Sequence, residues 1–424
     1  MNIMIVSPIA SHPPVSGARM RINKLVSYLK ILGHHITFVH YNIENTGSKA
    51  QEQMESAWDK YIKVPKTRDF KKSCGDVYGV DDWYEDSITE IVLKECQNNS
   101  FDAIITNYIF MTKFFETLPE KILKIVDTHD ILSERLNMYQ QNSLEPGFFY
   151  TTKEEEKIGL DRADIVFAIQ DIEAVYFKQH TKANVITINH LEDKRFLNKK
   201  YNGIKKIGYL GANNKFNIKS IEEFVKEFKR YENPNIELYI AGNICNILKV
   251  SDSRIKLVGF VNNLSKFYEE MDLIINPTVI GTGLKIKSVE ALSFGIPIVS
   301  TKIGFDGINS NLKEHSLENS KELIECINNI YQDKDKLNFI ADYCREVFEK
   351  YLENNQFKLF KLFPPANFTK IEKTDCRISQ VKVFDSLLIS LEKLSSISFI
   401  KSPIKKFKAY KDVLKAYQEI KGIF

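Results

Sequence analysis

Short apolar runs alternate with stretches of helical periodicity along most of this sequence. Continuous apolar runs are typical of strands buried on both faces of a parallel sheet, with helices between them as covering layers. Such runs predict strands at residues 2–7, 35–41, 102–109, 122–130 and 164–170, and again at 205–212, 237–242, 255–261, 272–278 and 296–302. Apolar positions three or four apart predict helices at about 18–32, 217–231, 263–270 and 286–294 and within 320–363.

The pattern restarts after a polar stretch at residues 192–204, and each half opens with a strand followed by a glycine-containing turn. We therefore predict an α/β protein made of two Rossmann-like, doubly wound domains that face each other across a cleft. The predicted domains cover residues 1–195 and 200–365. Residues 366–424 lack strand-like runs and are predicted to form a basic helical extension.

Composition narrows the functional classes. The chain has 424 residues, of which 43% are hydrophobic and 27% charged, as in ordinary soluble proteins. A net charge of +4 gives no reason to expect nucleic-acid binding. No apolar stretch is long enough to span a membrane, and the first residues lack the basic region of a signal peptide, so we expect a cytoplasmic protein. The six cysteines form no C-x-x-C pair, which argues against a zinc site.

Ligands of doubly wound sheets bind at the carboxyl ends of the strands, so residues just after strands are the candidates. After the first strand, Gly17 precedes a predicted helix, and Arg19 and Arg21 add positive charge. Free backbone N–H groups and the helix dipole suit a phosphate there, although an ordinary glycine turn would look the same. The G-x-G-x-x-G fingerprint is missing, which argues against a nicotinamide dehydrogenase.

The most informative segment is GTGLKIKSVEALSFGIPIVST, residues 281–301. Its glycines allow close backbone approach to a ligand. Lys285 and Lys287 lie in the first turn of the predicted helix, where the dipole disfavours cations unless an anion is bound. Glu290 follows one turn later, and a carboxylate can accept hydrogen bonds from both hydroxyls of a ribose. Together these residues indicate a site for a diphosphate and a ribose, whereas the alternative is a solvated helix with surface lysines.

This segment resembles the donor-binding signature of GT-B glycosyltransferases, especially the retaining family-4 enzymes. Further matching segments occur in the same order along the chain, at residues 7–22, 126–131, 163–174, 208–224 and 255–277. The resemblance covers about residues 1–365. It implies transfer of a sugar from a nucleotide-diphosphate donor, with retention at the anomeric carbon and without a bound metal or other cofactor.

The resemblance assigns roles to matching positions. Glu290 corresponds to the second glutamate of the family's E-x7-E motif, which holds the ribose hydroxyls. The first glutamate, which commonly contacts the donor sugar, would fall at Thr282, so this chain departs from the pattern. Lys285 and Lys287 match a basic-x-Lys pair found in a subset of the family.

The backbone of Gly283 and Leu284 would face the diphosphate together with those lysines. The family often has an Arg and a Lys after the first strand of the second domain. Here Ala212 takes the Arg position, and Lys215 or Lys219 is left to supply the charge.

His129, in the segment VDTHDI, is the candidate for contact with the donor sugar or the reaction centre, although a lone histidine is often structural. Asp127 and Asp130 flank it. Either would orient the imidazole or bind acceptor hydroxyls, and Asp130 is the preferred candidate.

The resulting hypothesis is a retaining hexosyl-type transferase that uses a glycan or lipid-linked acceptor in bacterial surface polysaccharide synthesis. One alternative is another GT-B activity such as sugar-nucleotide epimerisation. A second is a non-catalytic GT-B-like subunit that binds acceptor or stabilises a partner transferase. Residues 401–424 are basic and amphipathic, so we expect them either to lie on an anionic membrane surface at the inner face or to pack on protein.

Overall fold

The computed structural model describes residues 1–365. Residues 366–424, with the predicted basic extension, lie outside the described residues. The first lobe, residues 2–187, is built on a seven-stranded parallel sheet in the order β3-β2-β1-β4-β5-β6-β7. Its strands are β1 (Asn2–Ser7), β2 (His35–Asn42), β3 (Lys60–Pro65), β4 (Ala103–Asn107), β5 (Leu123–Asp127), β6 (Ile165–Ala168) and β7 (Asn184–Thr187).

Helices cover both faces of this sheet in the alternating pattern that the sequence predicts. They are α1 (Gly17–Ile31), α2 (Ser48–Ala57), α3 (Asp86–Asn98), α4 (Arg135–Gln141), α5 (Lys153–Asp161) and α6 (Asp171–His180), with a 3-10 segment at Ile109–Thr117. Strand β1 is central, and its residues Ile3, Met4, Ile5 and Val6 are fully buried. A strand covered on both faces must be apolar at every position, which explains its continuous apolar run.

The second lobe begins at residue 206 and has a five-stranded parallel sheet in the order β10-β9-β8-β11-β12. Its strands are β8 (Lys206–Leu210), β9 (Glu237–Ala241), β10 (Ile255–Gly259), β11 (Leu273–Asn276) and β12 (Ile298–Ser300). Its helices are α7 (Lys215–Arg230), α8 (Leu264–Glu270), α9 (Ile286–Phe294), α10 (Ser320–Ile330) and α11 (Lys334–Leu362), and short 3-10 turns lie at Asn243–Asn246, Ile303–Phe305 and Lys313–His315.

The two-domain prediction is confirmed: both sheets are parallel, and both reverse their strand order beside the first strand of the lobe. All ten predicted strands occur among the described residues. Two further strands, β3 and β7, were not predicted. Both lie at sheet edges, where partial exposure permits polar residues and removes the continuous apolar run.

The last helix contributes side chains to the cores of both lobes. Its first half packs in the core of the second lobe, whereas Leu359 and the following Phe363 are fully buried in the core of the first lobe. On the way, the Tyr351 hydroxyl donates to the His190 carbonyl over 2.7 Å. The backbone N–H of Asn189, in the segment between the lobes, donates to the Asn355 side chain over 2.8 Å.

Within residues 1–365, no helix is long and apolar enough to cross a membrane.

Candidate active site

A cavity of about 480 Å³ lies between the two lobes, at the carboxyl ends of the strands of the second sheet. We call it the donor cavity. The second lobe contributes the residues after β8, β9 and β10 and the amino end of α9, and the first lobe contributes the turn before α1. Its lining includes five of the predicted site residues, Gly17, Leu284, Lys285, Lys287 and Glu290.

Lys285 is the N-cap of α9. It therefore lies one residue before the helix begins, whereas the sequence placed it in the first turn. Its ammonium group donates to three carbonyl oxygens of the preceding loop, those of Gly281 (3.1 Å), Thr282 (2.9 Å) and Gly283 (2.7 Å). Gly281 and Gly283 have φ values of 130° and 72°, which glycine adopts without strain. The loop is therefore wrapped around the lysine, and burial lowers the pKa of Lys285.

Lys287 lies one residue into α9 and points toward the end of β8. Its ammonium group donates to Asn217 Oδ1 (2.6 Å) and to the Tyr209 hydroxyl (3.2 Å), and it lies 4.9 Å from the centre of the Tyr209 ring. None of these partners carries a negative charge. Burial, and then the charge of Lys285, lower the pKa of Lys287 to about 7, so an anion in the cavity would be its missing counterion.

Glu290 lies one turn further along α9 and is 3% exposed. The Tyr268 hydroxyl donates to its Oε1 over 2.7 Å. Burial raises the pKa of Glu290 to about 7, and the hydrogen bond from Tyr268 only partly offsets this effect. The side chain therefore borders the cavity with a second carboxyl oxygen for a ligand.

Other predicted donor residues are placed differently. Gly17 is the first residue of α1, with Ser16 as its N-cap, and an added Cβ would lie 3.4 Å from Ile286 of the other lobe. Arg19 forms an ion pair with Glu44 (3.1 Å) in the first lobe, away from α9. Lys215 is exposed and donates to the Glu145 carbonyl.

The departure at position 282 is also visible in the structure. Thr282 is exposed at the tip of the loop that precedes α9, and its carbonyl binds Lys285. Its short side chain therefore supplies no carboxylate to the donor cavity.

His129 lies at the carboxyl end of β5, next to the loop that carries Gly283: an added Cβ at Gly283 would lie 3.6 Å from the His129 carbonyl oxygen. Its Nε2 is 3.2 Å from Asp127 Oδ2 and 3.1 Å from Asn107 Nδ2. Asp127 is held in turn by Arg21, whose Nε donates to both carboxylate oxygens. Although burial alone would raise the pKa of Asp127, Arg21 and His129 hold it below its ordinary value.

This arrangement corrects two expectations. The imidazole is oriented by Asp127 and not by Asp130, because His129 has φ 63° and the chain turns sharply between the two acids. Asp130 instead accepts from Arg135 Nη2 over 2.6 Å. Arg21 supplies its charge to Asp127 and not to a phosphate, since it is almost fully buried.

Strained backbone marks the same region. Tyr108, directly after β4, has φ 68°, and its ring stacks on His129 at 4.4 Å between centroids. Left-handed φ values in residues other than glycine cost free energy and cluster at functional sites. A strained residue thus follows each of the neighbouring strands β4 and β5, and the rings of these two residues, Tyr108 and His129, stack on each other.

A second cavity of about 440 Å³, which we call the first-lobe cavity, is lined in part by Tyr108. Aromatic rings dominate its wall, and two charged side chains, Glu44 and Arg135, border it. The aromatic members are Phe70, Trp83, Tyr108 and Phe148.

Sequence reasoning missed one buried acid near His129. Glu173 lies in the first turn of α6 and is 1% exposed. Its Oε1 lies 3.9 Å from the position of an added Cβ at Gly283. The available signal was an acid in the first helical turn after β6, whose carboxyl end meets the same cleft. Among the described residues, no group of three or more His, Cys, Asp or Glu side chains is placed to hold a metal ion.

With this geometry established, the comparison with known families is informative. The family model of glycosyl transferases group 1 matches residues 204–333, which contain β8 to β12 and the lysines and glutamate of α9. This part of the chain is therefore similar to a group 1 glycosyl transferase domain. No curated protein sequence matches the chain significantly.

Solved structures extend the likeness to both lobes. Sucrose-phosphate synthase from Thermosynechococcus elongatus is 14% identical, with a TM-score of 0.64 over 86% of this chain and 98% of its own. TarM of S. aureus is 11% identical, with a TM-score of 0.63 over 86% and 99%. Anabaena HepE in complex with UDP and glucose is 14% identical, with a TM-score of 0.61 over 85% and 99%. At such identities the likeness concerns the fold, which is the GT-B fold.

Proposed function

We propose that this chain transfers a sugar from a nucleoside-diphosphate donor to a glycan or lipid-linked acceptor, with retention at the anomeric carbon. The observation that carries the proposal is the convergence of Lys285, Lys287 and the buried Glu290 at the amino end of α9, on a cavity between the lobes. The HepE and TarM structures include complexes with UDP, which supports uridine nucleotides as the first donors to test.

The donor would be held by three kinds of contact. The diphosphate would lie at the amino end of α9, where free backbone N–H groups and the helix dipole favour an anion, with Lys287 as its counterion. Glu290 would accept hydrogen bonds from the ribose hydroxyls. Phe260 lies at the cavity and is 57% exposed, so its ring is available to stack on the base.

The same groups would assist the reaction. As the glycosidic bond breaks, the leaving diphosphate gains negative charge, which Lys287 and the α9 N–H groups stabilise more strongly in the transition state than in the ground state. His129, oriented by Asp127, would contact the sugar from the first lobe. The acceptor oxygen would attack on the face that the diphosphate leaves, which gives retention.

The first-lobe cavity is the proposed acceptor site. Aromatic rings bind the apolar face of a sugar ring by stacking, while charged side chains bind its hydroxyls. Tyr108 lines this cavity and also stacks on His129. An acceptor there would therefore lie next to the proposed position of the donor sugar.

We further propose that the reaction needs no metal and takes place in the cytoplasm, in the synthesis of a bacterial-type surface glycan. The charges that a metal would neutralise are met by the lysines of α9. The basic residues within 401–424 favour contact with an anionic inner membrane surface.

The test is a thermal-shift screen of the wild type with UDP, GDP, CMP and their sugars in the presence of EDTA. A ligand at about 100 times its Kd stabilises the folded state by roughly 2.7 kcal/mol. We expect one nucleotide family to raise the melting temperature of the wild type. Glu290→Ala should lose most of this shift, while the exposed Glu325→Ala, in the same lobe, should keep it.

No nucleotide-dependent shift in the wild type would overturn the proposal. Binding of a nucleotide sugar without release of the nucleoside diphosphate, in the presence or absence of an acceptor, would instead favour the non-catalytic subunit, for which the exposed Thr282 is the structural argument.

A further inference from the structure

Three buried polar side chains at the cleft edge of the first sheet have an oxygen without a hydrogen-bond partner among residues 1–365. They are Asn107 Oδ1 at the end of β4, Gln170 Oε1 after β6 and Glu173 Oε2 in α6. Leaving a buried acceptor unpaired is unfavourable for folding, and each such group in a folded protein calls for an explanation. All three are acceptors, so the ligand that would satisfy them must be rich in hydrogen-bond donors.

Their position narrows the ligand further. Glu173 Oε1 and Asp130 Oδ1 lie 3.9 and 4.0 Å from the position of an added Cβ at Gly283, between the first lobe and the loop before α9. Gln170 Oε1 lies 2.6 Å from an added Cβ at Gly307, which also meets Leu284 of the donor cavity. The group is therefore located between the proposed diphosphate site and His129, where the transferred sugar would lie.

Glu173 is also an acid that forms no ion pair with any cationic side chain in the described part of the chain. Its one hydrogen bond, from Gln170 Nε2, is long at 3.4 Å. Burial first, and then the charge of Asp130, raise the pKa of Glu173 well above its ordinary value. Burying an acid without a counterion lowers the stability of the folded protein. Acids with such a strongly shifted pKa are common at ligand-binding sites.

We propose that Glu173, assisted by Gln170, determines donor specificity by hydrogen bonding to hydroxyl groups of the transferred sugar. This specificity role rests on the proposed function. In this chain the sugar-binding acid would come from the first lobe, since position 282 of the second lobe carries an exposed threonine. A sugar that lacks the hydroxyl leaves the buried polar groups of the site unpaired, which discriminates strongly against it.

The test compares Glu173→Gln with Asp171→Asn, an exposed acid in the same helical turn. Calorimetry would measure the Kd of UDP, UDP-glucose and UDP-N-acetylglucosamine, or of the matching series if another nucleotide binds. For the wild type we expect one nucleotide sugar to bind at least tenfold more tightly than its diphosphate. Glu173→Gln should lose that sugar-dependent gain, about 10–100-fold, and keep the Kd of the diphosphate; Asp171→Asn should change neither.

The possible failures are distinguishable. If the diphosphate binds in a Glu290-dependent manner and Glu173→Gln keeps the sugar-dependent gain, the specificity role is wrong and the proposed function stands. The specificity role would also be wrong if Glu173→Gln weakened binding of the diphosphate and of the sugar nucleotide equally, or if it lowered kcat and left the donor KM unchanged. It would be wrong as well if no sugar increased the affinity of the wild type. Absence of nucleotide binding would overturn both the specificity role and the proposed function. A melting temperature at or above that of the wild type would show that Glu173→Gln is folded.

Discussion

Lys287, the proposed counterion of the diphosphate, illustrates at the residue scale how a buried charge lowers the stability of the free protein. Its ammonium group is held among neutral partners, and its pKa is lowered to about 7. Replacing it with Met, which keeps the length and removes the charge, should raise the melting temperature of the free protein. The same change should weaken UDP binding at least tenfold, since the counterion of the diphosphate is lost. Thermal melts with and without UDP measure both effects.

An exposed lysine provides the control, because Lys215→Met should change neither quantity. A Lys287→Met protein that binds UDP like the wild type would show that the diphosphate lies elsewhere.

Glu290 predicts a pH dependence of stability. Its pKa is raised from about 4.5 to about 7 in the folded protein, so the folded state holds this proton more tightly than the unfolded state. The stabilisation is complete below about pH 4.5 and is lost as the pH rises through 7. Glu290→Gln should therefore be more stable than the wild type at pH 8, by about 2–3 kcal/mol, and the difference should shrink toward pH 5. Urea unfolding at the two pH values measures this, and a difference independent of pH would contradict it.

The sequence predicted residues whose role depends on their own helix, and failed where the role depends on a distant segment. Lys285, Lys287 and Glu290 share one helix end, so their spacing placed them at one cavity. Arg19 is bound by Glu44 and Arg21 by Asp127, and these pairings depend on segments that are distant in the sequence. Glu173 becomes a candidate only in the structure, where the loop that carries Gly283 in the other lobe lies against it.

At the element scale, the tight turns after β8 and β9 form part of the wall of the donor cavity. Gly242 has φ 96°, and an added Cβ would lie 2.3 Å from the carbonyl oxygen of Gly211, which lines the donor cavity. Gly259 has φ 77°, but an added Cβ there meets nothing within 4 Å. Gly259→Ala should therefore cost about 1–2 kcal/mol of backbone strain, whereas Gly242→Ala should cost a further 1–3 kcal/mol from overpacking.

Gly242→Ala should also weaken UDP binding, because Gly211 must shift, while Gly259→Ala should weaken it less, because an added Cβ there meets nothing within 4 Å. Urea unfolding and UDP titrations of both variants check this. Equal effects of the two substitutions would show that the turn yields without moving the cavity wall.

Element types followed from local pattern wherever burial was complete. Strands β1, β8 and β11 are covered on both faces and were predicted from their apolar runs. The edge strand β3 has only one fully buried residue, Val64, so its sequence resembles a loop. An edge position permits such polar residues but does not require them, since the edge strand β10 keeps an apolar run and was predicted.

At the scale of the whole molecule, α11 connects the stability of the two lobes. Phe363 is fully buried in the first lobe, and its carbonyl oxygen lies 3.3 Å from His34 Nε2. Phe363→Ala should cost about 3–5 kcal/mol and should speed hydrogen exchange of β1 and β2 although residue 363 follows the second lobe in sequence. Phe339→Ala, at an exposed position of the same helix, should have little effect. Unchanged exchange in the first lobe would contradict the prediction.

Two chain segments pass between the lobes, and they are bonded to each other through Asn189 and Asn355 and through His190 and Tyr351. Two chain connections that are also bonded to each other restrict the relative position of the lobes more than a single linker would. The walls of the donor cavity, which come from both lobes, are therefore held in place by residues that do not line it.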